Sequence, residues 1–390
     1  MPREPFRIVA GLSDEDYQDR ILPHVSRTFA LTIPQLPPGL AGAVTSAYLL
    51  CRIADTIEDE PALSAAESEH YLQRFAAAVS GREDAARLAR ELEGRLSDRT
   101  LASERDLVRN MERVIRLTAQ LGRDQRAAME RCIELMCYGM HRFQLTASLA
   151  GLERSSDLDS YCYYVAGVVG EMLTELFCAY SPGVAQHRVA LRDHAASFGQ
   201  GLQMTNILKD VWEDRSRGAC WLPQEVFARH GVNLAEIGSG SRGEGFASAM
   251  RELIGVAHAH LRNAMAFTLL IPKRESGIRR FCLLAIGLAV LTLRRMNRHP
   301  TFSSGAEVKV SHSAVAATRI LTSLAVRNDR LLMRLFDWAA GDLPLSPPGE
   351  ARRRSRAALL AAQERSSGAD YGRNVLRPTL GRTSDGSAAK

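Results

Sequence analysis

From about residue 41 to residue 340 the apolar side chains recur at three- and four-residue intervals, the spacing that lines one face of a helix. Segments 41–59, 64–80, 84–96, 105–122, 125–147, 157–180, 187–214, 224–230, 246–270, 276–297 and 312–340 all carry it, separated by short polar breaks. No alternating run of strand length is flanked by hairpin residues. Such a chain must bury helix against helix, so the pattern predicts one all-α domain over residues 20–341. With 46% of its 390 residues hydrophobic, it can fill a large core. Residues 1–19 read as an N-terminal segment. After about residue 342 come Pro344, Pro347 and Pro348, then Arg352-Arg353-Arg354, then Ser, Gly and Ala. Residues 342–390 are therefore expected to be a largely disordered tail.

The net charge of +6 is dispersed, and no helix-turn-helix, zinc-finger or RNP pattern accompanies it. That argues against nucleic acid and suits an anionic small substrate or anionic lipid head groups. Seven cysteines, several in apolar helical runs and none in CxxC or Cys/His spacing, read as reduced core thiols of a cytoplasmic protein. The ten histidines form no HExxH, and His258 and His260 fall on different helix faces, so zinc is not expected. The first residues lack an apolar signal region. The longest apolar run, Phe281 to Leu293, is about 13 residues where spanning needs about 20, so it reads as a buried core helix. Gly238 to Gly243 spells GxGxxG, but no strand precedes it, and a flexible loop is expected there.

Two short acidic motifs repeat: Asp55-Thr-Ile-Glu58-Asp59 and Asp210-Val-Trp-Glu213-Asp214. On a helix, Tyr48, Arg52, Asp55 and Asp59 form one stripe, and Gln203, Asn206, Asp210 and Asp214 another. Paired carboxylates about 6 Å apart repel by roughly 3 kcal/mol at an effective dielectric near 20. Either their pKa values rise or a cation neutralises them. Carboxylate and amide oxygens suit Mg²⁺, which commonly bridges to substrate phosphates. Arg52 and Lys209 add cations of the kind that hold diphosphate oxygens. A single DxxxD on a helix is usually solvated surface; two matched copies, each beside a cation on an apolar helix, argue for a site.

With these motifs the sequence resembles the squalene/phytoene synthase family, and most closely its squalene synthase branch without a membrane anchor. The family's markers stand as Ser26-Arg27-Thr28-Phe29-Ala30, Tyr48 through Asp59, Tyr161-Cys-Tyr-Tyr-Val-Ala-Gly167-Val-Val-Gly170, Gln203 through Asp214, and Trp221-Leu-Pro223, collinear over about residues 20–335. The resemblance implies a single-domain helical bundle of the class I terpenoid synthase type around a central cavity. It implies head-to-head condensation of two farnesyl diphosphates, through presqualene diphosphate, to squalene. Mg²⁺-assisted ionisation and NADPH reduction would be part of that reaction. Asp55, Asp59, Asp210 and Asp214 would ligate Mg²⁺, supported by Asn206 and by Glu58 and Glu213 as occasional ligands. Arg27, Arg52, Lys209, Arg217, Gln203 and Asn206 would contact diphosphate. Tyr161 and Tyr48, with Arg52, would serve the chemistry, since a tyrosine face stabilises a cation and its hydroxyl relays a proton. By spacing alone Tyr161 reads equally as a core aromatic. Gly167 and Gly170 imply either a kink, the passage of a prenyl chain, or tight helix packing.

The sequence also departs from the family. Where members often carry Gly-Arg after the second motif, this chain has Arg217-Gly218. The late Val308-Lys309-Val310-Ser311-His312 keeps Lys309 as a candidate cofactor contact, or a solvated lysine, and ends in His. Three alternatives remain at this point: a synthase without the reductive step, giving presqualene diphosphate, dehydrosqualene or phytoene; a terpene cyclase, against which the matched motifs argue; and a non-catalytic helical assembly factor. A lipophilic product also makes peripheral membrane contact reasonable.

Overall fold

The structure, a computed structural model, describes residues 11–238, 243–347 and 349–368. Residues 239–242, inside the expected Gly238–Gly243 loop, lie outside it, as does the end of the expected tail beyond residue 368. Among the described residues the secondary structure is helical, with one isolated bridge between Leu152 and Pro223.

We number the elements that build the bundle and its site: α1 (Asp14–Val25), α2 (Pro38–Glu58), α3 (Ala65–Val79), α4 (Arg123–Gln144), α5 (Ser155–Cys162), α6 (Val168–Tyr180), α7 (Arg188–Lys209), α8 (Val211–Ser216), α9 (Glu244–Leu270), α10 (Ser276–Arg298), α11 (His312–Ala325), α12 (Asp329–Ala340) and α13 (Glu350–Gly368). Their starts follow local chemistry. Pro38 opens α2 at its first turn, and Ser64 and Glu67 close a reciprocal capping box on α3. The core runs the length of the bundle, from Tyr17 and Ile21 of α1 to Leu332 and Phe336 of α12. Helix α7 lies at its centre, packed against α6, α9 and α10.

Helices α6 and α7 approach so closely that a Cβ on Gly170 would sit 2.0 Å from the Ala195 carbonyl oxygen, and one on Gly199 1.9 Å from that of Ala166. Tight packing is thus what Gly170 supplies. Between α5 and α6 the chain also widens into a π-helical turn at Tyr163–Gly167.

The structure differs from the sequence reading in several places. Helix α1 begins at Asp14 with Tyr17 and Gln18 buried, so the folded unit starts before residue 20. The expected 105–122 helix breaks at Asn110, and 187–214 breaks at Asp210. Within the expected tail, residues 350–368 form α13, docked on α5, α7 and α9 through buried Ala351, Ala358 and Ala362. Finally, Pro38–Glu58, Ser155–Tyr180 and Ser276–Arg298 are long and apolar enough to cross a membrane, but 72%, 67% and 72% of these stretches are buried in the bundle. Their apolar surface forms the core.

Candidate active site

The first acidic motif occupies the last turn of α2, with Asp59 as its C-cap. The second straddles a break. Asp210 leaves helical geometry (φ −97°, ψ 15°), ending α7 and starting α8, which carries Glu213 and Asp214. Arg217 joins the two motifs. Its guanidinium lies 3.4 Å from Asp59 Oδ2 and donates to Asp214 Oδ1 at 2.6 Å. The acidic ends of two helices about 150 residues apart in the chain therefore share one rim, and the arginine whose position departs from the family pattern stands between them.

The carboxylates respond as crowded, partly desolvated acids do. Burial, then Asp59 and Glu104, lift Asp55 to about 6 against the pull of Arg52. Burial lifts Asp214 to about 6, with Asp210 and Asp59 adding to it and Arg217 opposing. Glu58 is pushed up by burial and then by Asp59 and Asp55, and its Oε1 is buried without a hydrogen-bond partner. Asp210 is raised by burial, although Lys209 Nζ is 2.9 Å from its Oδ2. Arg52 is bound to Glu104 and lies 3.7 Å from Asp55. Glu104 belongs to the site although no motif marks it.

Tyr161 lies beneath this rim. It is 6% exposed, and the charges of Glu58, Asp59 and Asp214 act on its hydroxyl together with burial, keeping it protonated. Its ring stacks on Trp221 (centroids 4.2 Å, planes 12° apart), with Phe143 edge-on at 5.3 Å. Trp221 is held because Leu152 N donates to Leu222 O (3.0 Å) and Gln224 N donates to Leu152 O (2.7 Å). The close approach requires Gly151, whose φ is +88° and whose Cβ would fall 2.4 Å from Leu222 O.

The other expected residues are placed as follows. Tyr48 donates to the Val25 carbonyl (2.9 Å) and packs on Phe29, and burial raises its pKa to about 12. That bond draws the Ser26–Thr28 segment toward α2, with Arg27 exposed on it. Gln203 is half-buried and Asn206 exposed, on the last two turns of α7. Glu213 turns aside: its Oε1 accepts from Gly305 N (2.9 Å), and Trp212 Nε1 donates to Phe302 O (2.7 Å). These two bonds stitch the loop bearing Lys309 to the second motif, with Lys309 itself exposed.

As a metal site this donor set fits in part. Paired carboxylates with raised pKa values and an unpartnered buried Glu58 oxygen call for a cation. Yet among the described residues no three His, Cys, Asp or Glu side chains converge to hold one unaided. Mg²⁺ suits such a half-built site, since it keeps waters and takes the remainder of its shell from phosphate.

The sequence profile of the squalene/phytoene synthase family matches residues 22–361. The chain belongs to this family. It is 28% identical over 281 residues to the squalene synthase of Eremothecium gossypii, covering 70% of this chain and 60% of that one. It is 26% identical over 321 residues to that of Schizosaccharomyces pombe, covering 79% and 65%. It thus spans about two thirds or less of these relatives' own lengths. Among solved structures, the complex of TcSQS with the ligand BPH1237 superposes with a TM-score of 0.68 at 21% identity, covering 90% of this chain and 99% of that one. A dehydrosqualene synthase complex gives 0.58 at 22%, covering 83% and 97%. These likenesses establish the shared all-helical fold of a squalene/phytoene synthase family member.

Proposed function

We propose that this chain is a prenyltransferase that condenses two farnesyl diphosphates head to head, through presqualene diphosphate, to squalene. The observation that carries the reading is the shared acidic rim spanned by Arg217, with Tyr161 buried beneath it.

Asp55, Asp59, Asp210 and Asp214 would hold Mg²⁺, with Glu58 as an added oxygen donor, while Glu213 serves the loop. When bound, Mg²⁺ supplies Lewis-acid assistance to the departing diphosphate. Arg217, Lys209 and Arg52 present N–H donors to diphosphate oxygens once substrate and metal compete for the carboxylates they now contact. Gln203, Asn206 and Arg27 are proposed as further donors to the diphosphates. The Tyr161 face, backed by Trp221, is proposed to stabilise the allylic cation, and its hydroxyl to relay to the released diphosphate the proton lost as the cyclopropane closes. Tyr48 fixes the Ser26–Thr28 segment. NADPH is the proposed hydride donor as a co-substrate, and Lys309 its proposed contact. We further propose a cytoplasmic protein that contacts the membrane peripherally.

A second reading stops short of hydride transfer, giving presqualene diphosphate or dehydrosqualene. It is favoured by the exposure of Lys309 and by His312 at the end of its segment. The test is product analysis. Full-length protein is incubated with farnesyl diphosphate and Mg²⁺, with and without NADPH, and extracts are identified by mass spectrometry. Squalene formed only with NADPH is the expected result. Presqualene diphosphate or dehydrosqualene in both tubes selects the second reading. No turnover of farnesyl or geranylgeranyl diphosphate by folded protein would overturn both.

A further inference from the structure

Helix α13 has no part in the proposed reaction, yet polar groups fasten it to the segment that carries Tyr161. Its inner side is a stripe of small residues, Ala351, Ser355, Ala358 and Ala362, all buried. Arg354 beside that stripe reaches α5, where its Nε donates to Asp159 Oδ2 at 2.7 Å; the Asp159 side chain is 7% exposed. Ser355 Oγ donates to Gln200 Oε1 of α7 at 2.5 Å and lies 3.1 Å from Ser197 Oγ. Ser197 is in turn 2.9 Å from His260 Nδ1 of α9 and accepts from Asn263 Nδ2 at 3.0 Å. Gln200 completes the circuit by donating to the backbone carbonyl of Asp159 at 3.0 Å. Asp159 is therefore held twice, by its side chain from α13 and by its carbonyl from α7.

The position of this double grip matters. Asp159 lies two residues before Tyr161 and four before the π-helical turn, where the regular helical pairing of carbonyls changes register. Small-residue packing alone would dock α13. A buried ion pair adds little net stability over apolar packing, and its best-attested use is to select one register. Few other groups compete for the pair: Asp159 Oδ1 and Arg354 Nη2 are buried without a hydrogen-bond partner, and Arg354 has one further acidic neighbour, Glu350 Oε1, 3.6 Å from Nη1 within α13 itself.

We propose that Arg354 is a positioning residue: through Asp159 it fixes the rotation of α5 and so aims Tyr161 at the acidic rim. The effect on catalysis rests on the proposed condensation, but the effect on structure does not. The test uses the full chain with Arg354→Met, Arg354→Lys, and the double variant Arg354→Met/Asp159→Asn. The double variant leaves no buried charge unpaired, so it answers the question if Arg354→Met fails to fold. Hydrogen exchange of peptides spanning 155–167 is measured beside kinetics with farnesyl diphosphate and Mg²⁺. In Arg354→Met, or in the double variant, exchange over 155–167 should rise by about tenfold while that of the two acidic motifs stays near wild type. kcat should fall by about tenfold with KM within about twofold, the signature of a misaimed group. Arg354→Lys should restore part of both. Unchanged exchange over 155–167 would overturn the inference, as would raised exchange with unchanged kcat. If the wild type turns over no prenyl diphosphate, the proposed function fails, and the exchange measurement still decides whether Arg354 holds this segment.

Discussion

At the scale of single residues, the rim carboxylates cost the protein stability in the absence of metal. Asp55 and Asp214 titrate near 6 in the fold against an ordinary 3.8. Between those values the folded chain holds protons that the unfolded chain has released, so folding gains from these groups as pH falls. Their penalty is fully present above about pH 6 and absent below about 3.8. Asp55→Asn and Asp214→Asn should therefore melt higher than wild type at pH 7 without metal, and the difference should shrink by pH 4. Both should lose turnover by about a hundredfold or more. Thermal melts across pH, paired with a diphosphate-release assay, check this; a variant that melts lower at pH 7 yet keeps activity would refute it. Tyr161 calls for a different separation. Tyr161→Phe keeps the ring on Trp221, so stability should change by less than about 1 kcal/mol while kcat falls about ten- to a hundredfold. Tyr161→Ala should also lose about 3–5 kcal/mol on urea unfolding, because it empties the stack.

At the scale of elements, the long helices were legible because each buries a broad apolar face, and periodicity reports faces. Ends and interruptions were less so. The break at Asp210 and the π-helical turn at Tyr163–Gly167 preserve the apolar spacing on either side, so the pattern runs through them. Helix α13 was missed for another reason: its buried side is alanine and serine, and arginines crowd its first turns while Leu359 and Leu360 are its only large apolar residues, a composition close to that of a solvated tail. Glycine shows the same limit. Gly42 and Gly170 are both helical glycines by pattern, but a Cβ on Gly42 meets nothing within 4 Å, whereas one on Gly170 meets the Ala195 carbonyl at 2.0 Å. Gly42→Ala should stabilise by up to about 1 kcal/mol through helix propensity. Gly170→Ala should destabilise by about 1–3 kcal/mol, since backbone cannot yield cheaply and overpacking outweighs the propensity gain. Urea midpoints decide it, and a stabilised Gly170→Ala would mean that α6 and α7 are not in such close contact.

At the scale of the whole molecule, the metal-ligand types were legible from two repeated motifs, but their meeting was not, because no local pattern says which helix ends share a rim. The Arg217 bridge in particular has no sequence signature: it depends on Asp59 and Asp214 coming within reach of one guanidinium. That bridge has a consequence for binding. With a guanidinium between the motifs, and no three carboxylates converging among the described residues, Mg²⁺ alone must displace an ion pair and still lacks ligands. Diphosphate changes both conditions at once, since it gives Arg217 a new anionic partner and supplies the missing oxygens. Stabilisation by binding follows RT ln(1 + [L]/Kd), about 2.7 kcal/mol at a hundredfold excess over Kd. Millimolar Mg²⁺ should therefore shift the wild-type melting temperature by under about one degree, and Mg²⁺ with inorganic diphosphate by several degrees. Arg217→Gln should narrow the gap, responding more than wild type to Mg²⁺ alone because the competitor is gone, and less than wild type to the pair because one diphosphate contact is lost. Differential scanning fluorimetry on both proteins reads all four shifts. A full shift of the wild type by Mg²⁺ alone would mean that the carboxylates already form a closed metal site, and that Arg217 does not guard it.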